Sequence, residues 1–124
     1  MASYVLVVDD EKSICELLRR QLEGWGYSVK TALSAAEALE AMLEETASIA
    51  IIDVKMPGRD GLWLADRFRT RWPKTAVVIA TASDDISSIE TSRRMGAVDY
   101  VLKPFDREML RQAMVRASSR AGGD

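Results

Sequence analysis

Histidine is missing from this chain, and cysteine occurs once, at Cys15. Without imidazole there can be no Ser/His/Asp triad, no His-ligated zinc or haem, and no phosphohistidine formed within the chain itself. A single thiol cannot close an internal disulfide, and no apolar run approaches the ~18 residues of a membrane-spanning helix. Met1-Ala2-Ser3 leads directly into a strand-like run rather than a signal peptide, so a reducing cytoplasm is the expected location. A strong charge of one sign is also lacking. The formal net charge of −2 gives no global attraction to nucleic acid or anionic lipid, so no direct nucleic-acid or membrane binding is expected of this chain.

What remains is 124 residues, 48% apolar and 29% charged, enough for one domain with one core. Apolar runs alternate with helix-period segments. Strands are predicted near 4–8, 27–31, 48–53, 75–80 and 98–102, with helices near 12–23, 34–45, 60–71, 84–94 and 106–117. That alternation is the pattern of a doubly wound α/β fold, a five-stranded parallel sheet with five helices on its two faces. Ile14, Leu17, Leu18 and Leu22 form the expected apolar stripe of the first helix, and Ser34 with Glu37 makes a capping box at the head of the second. Ile49-Ala50-Ile51-Ile52 is apolar without alternation, as a strand covered on both faces should be. The segment 84–94 has only Ile86 and Ile89 as large apolar residues, which predicts a weakly anchored helix. The domain is expected to span 1–120, with 121–124 a flexible tail or the start of a linker.

Polar residues close these runs. Asp9 and Asp10 follow the first, Asp53 ends the third, Thr81 follows the fourth and Lys103 the fifth. In a parallel α/β sheet those ends share one edge, the edge where ligands bind. Three neighbouring carboxylates would oppose one another's ionisation, and a divalent cation relieves that repulsion. The candidate ligands are all oxygens, which suits Mg²⁺ or Mn²⁺ rather than zinc. Asp53 precedes the turn-forming Val54-Lys55-Met56-Pro57-Gly58, which would project its carboxylate to attack phosphorus without a general base. Lys103 precedes Pro104, so the Lys-Pro bond is a candidate for cis, and its ammonium can serve a phosphoryl oxygen as a point charge. Each residue alone has a plainer explanation: an N-cap for the Asp9-Asp10 pair, a solvated turn for Asp53, an edge lysine for Lys103, a strand threonine for Thr81. Their joint placement favours the phosphoryl site.

Val-Val-Asp9-Asp10, Asp53-Val-Lys-Met-Pro57-Gly58, Thr81-Ala82 and Gly96-Ala-Val-Asp-Tyr100-Val-Leu-Lys103-Pro104-Phe105 resemble the receiver domain of two-component response regulators, over Tyr4 to Ala117. The resemblance implies a flavodoxin-like fold with strand order 2-1-3-4-5. It implies that Asp53 takes a phosphoryl group from the histidine of a sensor kinase or phosphotransfer protein. It implies Asp10, Asp53 and the Lys55 carbonyl as Mg²⁺ ligands, with Asp9 acting through water, and Thr81 and Lys103 holding the phosphoryl oxygens. It further implies that Thr81 and Tyr100 act as a switch, changing a surface made of the predicted helix 84–94, the fifth strand and the last helix. That surface would serve a downstream output domain or protein, or a phosphorylation-dependent homodimer. Such a domain catalyses only its own phosphorylation and dephosphorylation.

Three other readings compete. A flavodoxin-type module would want a hydroxyl-rich neutral loop for the FMN phosphate after the first strand, where Asp9-Asp10-Glu11 would repel it. A Mg²⁺-dependent aspartyl-phosphate phosphatase of the haloacid dehalogenase type places its two acids two residues apart, whereas here they are adjacent at Asp9 and Asp10. A pseudo-receiver that only binds partners would have no need of this full set of site residues. Two smaller expectations concern surfaces. Trp63 should be partly exposed and packed on the stem of Arg67, and Arg107, Arg111, Arg116 and Arg120 could pair with acids on a second subunit.

Overall fold

The computed structural model describes residues 3–54, 56, 61–82, 90, 93–94 and 96–123. Five parallel strands, β1 (Val5–Val8), β2 (Val29–Ala32), β3 (Ile49–Asp53), β4 (Ala76–Ala82) and β5 (Asp99–Lys103), lie in the order β2-β1-β3-β4-β5. Helices α1 (Lys12–Gly24), α2 (Ala35–Glu44), α3 (Gly61–Arg71) and α4 (Arg107–Gly123) complete the fold among the described residues. The predicted helix 84–94, with Ile86 and Ile89, lies for the most part outside them. So do Lys55, Pro57 and Gly58.

The predicted flavodoxin-like architecture is correct, and the reason is visible in β3. Ala50 and Ile52 enter one core with Leu6, Val8, Val77 and Ile79, under α2 and α3. Ile49 and Ile51 enter the other with Val5, Val7 and Val78, under α1 and α4. A strand buried on both faces has no polar positions to alternate, hence its unbroken apolar run. Each fully buried aliphatic side chain contributes roughly 1.5–3 kcal/mol, so these two layers make the sheet the rigid part of the molecule.

Element ends differ from expectation where local hydrogen bonds intervene. The chain leaves α1 through Gly26 at φ +98°, and the Tyr27 N–H donates to Leu22 O. Tyr27 therefore belongs to the helix terminus, and β2 starts two residues later than predicted. Thr75 is occupied likewise, its N–H donating to Trp72 O and its hydroxyl to Ala47 O at 2.7 Å, so β4 begins at Ala76. It also runs through Thr81 to Ala82, placing Thr81 inside the strand rather than beyond it. In α1 the inward stripe is Cys15, Leu18 and Leu22, while Leu17 is 54% exposed. Cys15 takes the inner position and its S–H donates to Asp9 O at 3.3 Å. The last helix extends to Gly123, past the expected end near residue 117, because Ala117 is buried and the Ser118 hydroxyl meets that of Tyr27 at 3.1 Å.

Other local expectations are met. Ser34 caps α2, accepting from the Glu37 N–H at 3.1 Å, while Glu37 reaches back to the Leu33 N–H at 2.8 Å. Trp63 is half-buried with the Arg67 guanidinium 5.0 Å above its ring. The last helix's arginines depart from the expected pairing with a second subunit, since two are engaged within the chain: Arg116 pairs with Asp99, and Arg111 lies 5.5 Å over the Trp25 ring.

Tyr4 joins the sheet to a helix end. Its hydroxyl donates to Glu45 O at 2.6 Å, with Ala41 O at 3.3 Å, so it captures the carbonyl of the α2 C-cap beside one that already accepts the Glu45 N–H. Burial, then the charges of Glu45 and Glu44, push the phenol up from 10.0 to about 12. The folded state thus holds this proton more tightly than the unfolded chain. Its stabilising contribution is whole below pH 10 and is lost as pH rises towards 12. Tyr4→Phe should cost about 1 kcal/mol at neutral pH in a denaturant titration, the usual value of one such bond. The stability difference between wild type and variant should shrink between pH 10 and 12; a constant difference would mean that the hydroxyl proton is not held in this way.

Candidate functional site

The order β2-β1-β3-β4-β5 reverses direction between β1 and β3, so the two strands flank the topological switch point. Val8 pairs with Ile52, and the next residue on each strand is an aspartate, Asp9 and Asp53. Both carboxylates are buried, at 2% and 6% exposure, while Asp10 is exposed. Ligand oxygens of Asp9, Asp10 and Asp53 all lie within 4.8 Å of one another.

Lys103, the last residue of β5, reaches into this group. Its Nζ donates to Asp9 Oδ2 at 2.9 Å and to Asp53 Oδ1 at 3.0 Å. Burial alone would push this ammonium down, but the hydrogen bonds to Asp9 and Asp53 and the two negative charges prevail, and the net direction is up. The Lys103-Pro104 peptide is cis, as the sequence had suggested.

The Asp9 carboxylate is not the cap of α1. The N-cap is Glu11, without a side-chain cap, and Asp9 Oδ1 instead accepts the Glu11 N–H at 2.9 Å. Asp9 is thereby held on both oxygens, by backbone on one and by Lys103 on the other. Asp10, turned to solvent, has the freer access to an incoming ion. Formally, three carboxylates against one ammonium leave an excess of two negative charges, presented on oxygen ligands alone. A hard divalent cation fits that donor set.

Thr81 lies on β4 in register with Leu102, one position before the Ala82–Lys103 pair. Tyr100, on β5 opposite Ile79, is half-buried against the layer under α2 and α3. The structure therefore brings Asp9, Asp10, Asp53 and Lys103 together, while Lys55 is outside the described residues. Sequence reasoning overlooked Gly61, the first residue of α3, which lies flush against the Asp53 and Val54 backbone. Its only signal was a glycine at a predicted helix head.

Comparison with known proteins agrees with this geometry. The family model described as response regulator receiver domain matches residues 5–115. The chain is 41% identical over 102 residues to the DNA-binding transcriptional regulator NtrC of Escherichia coli (strain K12), covering 82% of this chain and 22% of that protein. It is 39% identical over 120 residues to the uncharacterized transcriptional regulatory protein YkoG of Bacillus subtilis, covering 97% of this chain and 52% of that one. A receiver domain protein from Clostridium thermocellum superposes with a TM-score of 0.89 at 31% identity, over 95% of each chain. NtrX from Brucella abortus does so with a TM-score of 0.91 at 32% identity, over 98% of this chain and 28% of that one. The chain spans about a fifth to about a half of the length of these curated relatives. By the match over residues 5–115 and the shared fold, this chain belongs to the response regulator receiver domains, signalling domains that accept phosphoryl groups.

Proposed function

We propose that Asp53 accepts the phosphoryl group, from a phosphohistidine on a sensor kinase or phosphotransfer protein, in a Mg²⁺-dependent reaction. The observation that carries this reading is the Lys103 ammonium bonded to both Asp53 and Asp9, beside Asp10, at the switch point of the sheet. An Asp53 carboxylate oxygen forms a bond to phosphorus as the P–N bond to the donor imidazole breaks, and the imidazole leaves with the electron pair and takes up a proton. Asp10, Asp53 and the Lys55 carbonyl are the proposed Mg²⁺ ligands, with Asp9 acting through water. When bound, the ion supplies neutralisation of charge on the transferring oxygens. Lys103, already at the carboxylate, exchanges a carboxylate oxygen for a phosphoryl oxygen, and Thr81 holds another. In this sense the domain catalyses only its own phosphorylation and dephosphorylation. The phosphatase alternative finds less support, since the two acids preceding α1 are adjacent and the family match spans residues 5–115.

The wider reading is also ours. The domain occupies 1–120 with 121–123, the end of α4, as the start of a linker, it acts in the cytoplasm, and Thr81 and Tyr100 relay phosphorylation to the surface formed by the segment 84–94, β5 and α4. That surface serves an output domain, a separate output protein or a second copy. No helix among the described residues is long and apolar enough to cross a membrane. A docked histidine donor would meet Ser13, which is exposed, and Ile14, half-buried, but not Cys15, which is buried and whose thiol burial pushes up to about 11.

Acetyl phosphate with Mg²⁺ should add one phosphoryl group to the wild type and none to Asp53→Asn, measured by intact-mass spectrometry. Equal labelling of the two would remove Asp53 as acceptor. Metal binding separates the other roles. Asp10→Ala should weaken Mg²⁺ at least tenfold in a tryptophan-fluorescence titration. Lys103→Met, which takes a positive charge away from the same oxygens, should bind Mg²⁺ several-fold more tightly while its phosphorylation slows about 100-fold, the scale of removing one preorganised charge partner. Parallel loss of metal in both variants would contradict the division of labour.

A further inference from the structure

Gly61 has no side chain to contribute to the site, yet it bears directly on it. A Cβ built there would stand 1.9 Å from the Asp53 carbonyl oxygen, 2.7 Å from its carbonyl carbon and 2.9 Å from the Val54 Cα. All three are backbone atoms, so no flexible group can swing aside. The contact is reinforced by a hydrogen bond, the Gly61 N–H donating to Val54 O at 3.0 Å. From the opposite side the Val54 N–H donates to Ala80 O at 3.0 Å, and Asp53 is in register with Ala80. The Asp53–Val54 peptide is therefore held between β4 and the first residue of α3, at a separation that only glycine permits.

We propose that Gly61 is a positioning residue for the phosphoryl acceptor, setting where the Asp53 carboxylate stands relative to Lys103 and the other two acids; this rests on the reading of Asp53 given above. Restoring an ordinary contact of 3.4 Å from 1.9 Å would require a displacement of about 1.5 Å. β3 is locked to both β1 and β4 as far as Ile52, whereas Asp53 and Val54 are tied to β4 alone, so the strain falls on those two residues and on the head of α3. The Asp53–Lys103 bond at 3.0 Å does not survive a shift of that size, since hydrogen bonds are lost beyond about 3.5 Å. In-line attack on phosphorus is equally demanding, and a misplacement of about 1 Å costs on the order of 100-fold in rate.

The test compares Gly61→Ala with Phe68→Leu, which weakens the core packing of the same helix two turns away from Asp53. Both rates of phosphorylation by acetyl phosphate are measured at saturating Mg²⁺, with thermal midpoints for each protein. Gly61→Ala should phosphorylate about 100-fold more slowly, and Phe68→Leu within about threefold of wild type. Equal slowing of the two variants, or a wild-type rate in Gly61→Ala, overturns the proposal. If Gly61→Ala does not fold unaided, the same rates are taken in trimethylamine N-oxide, which favours the compact state. If it stays unfolded even there, Gly61 is needed for the fold as a whole and the specific positioning role is overturned. If the wild type is not labelled at Asp53 at all, the acceptor assignment fails instead. The clamp is then judged by amide chemical shifts, which should move at Asp9, Asp53 and Lys103 in Gly61→Ala and stay within the surroundings of the substituted ring in Phe68→Leu.

Discussion

Two buried carboxylates on adjacent strands share one ammonium, and the arrangement of the rest of the site follows from that sharing. Asp9 and Asp53 follow the paired residues Val8 and Ile52, so parallel pairing alone brings their carboxylates together. Lys103 arrives from β5, two strands beyond β3 in the sheet. Removing one member of such a buried pair leaves an uncompensated charge, which is far more costly than the pair is stabilising. The lysine consequently couples the edge strand to the centre of the sheet, and its 22% exposure leaves it within reach of an incoming anion.

That arrangement needs a rigid platform, and the two apolar layers supply one. β1 and β3 are buried at every position, and their side chains alternate between the layer under α2 and α3 and the layer under α1 and α4. A one-residue slip of either strand would exchange the layers and move the aspartates out of line, so the same packing that stabilises the fold also fixes the register of the carboxylates. Tyr4 adds a tie between the start of β1 and the end of α2, and Cys15 ties α1 to the Asp9 carbonyl. Fold and site thus share their constraints.

The five strands and most of the site were legible in the sequence because both depend on where apolar runs stop, whereas the sheet order came only from the resemblance to receiver domains. Asp53 and Lys103 are the last residues of their strands; the run before Asp53 is buried on both faces, while the one before Lys103 is an edge strand with only Val101 fully buried. Features that depend on non-local bonds were not legible. Leu17 looks like a core residue by type, but Cys15 occupies the inner face and bonds the Asp9 carbonyl. Thr75 reads as a strand residue, yet its hydroxyl is committed to Ala47, on the loop before β3. Arg116 reads as a cation available to acids on a second subunit, although folding brings Asp99 to it from β5. Sequence pattern reports which face a residue prefers, not which backbone group it will meet.

Gly61 is the sharpest case of that distinction. At a helix head a glycine has an ordinary local explanation, and nothing in the neighbouring residues signals otherwise. Its importance comes from residues eight and seven positions earlier, whose backbone lies against its Cα. The fold thereby uses an absent side chain to control a present one: the closer α3 approaches the end of β3, the less freedom the Asp53 peptide retains. Metal ligands and charge partners can act on a carboxylate only once its main chain is placed. On the proposed reading, then, the precision of the acceptor originates in backbone packing, and the ammonium of Lys103 operates on a geometry already set by the strand, the sheet and this one glycine.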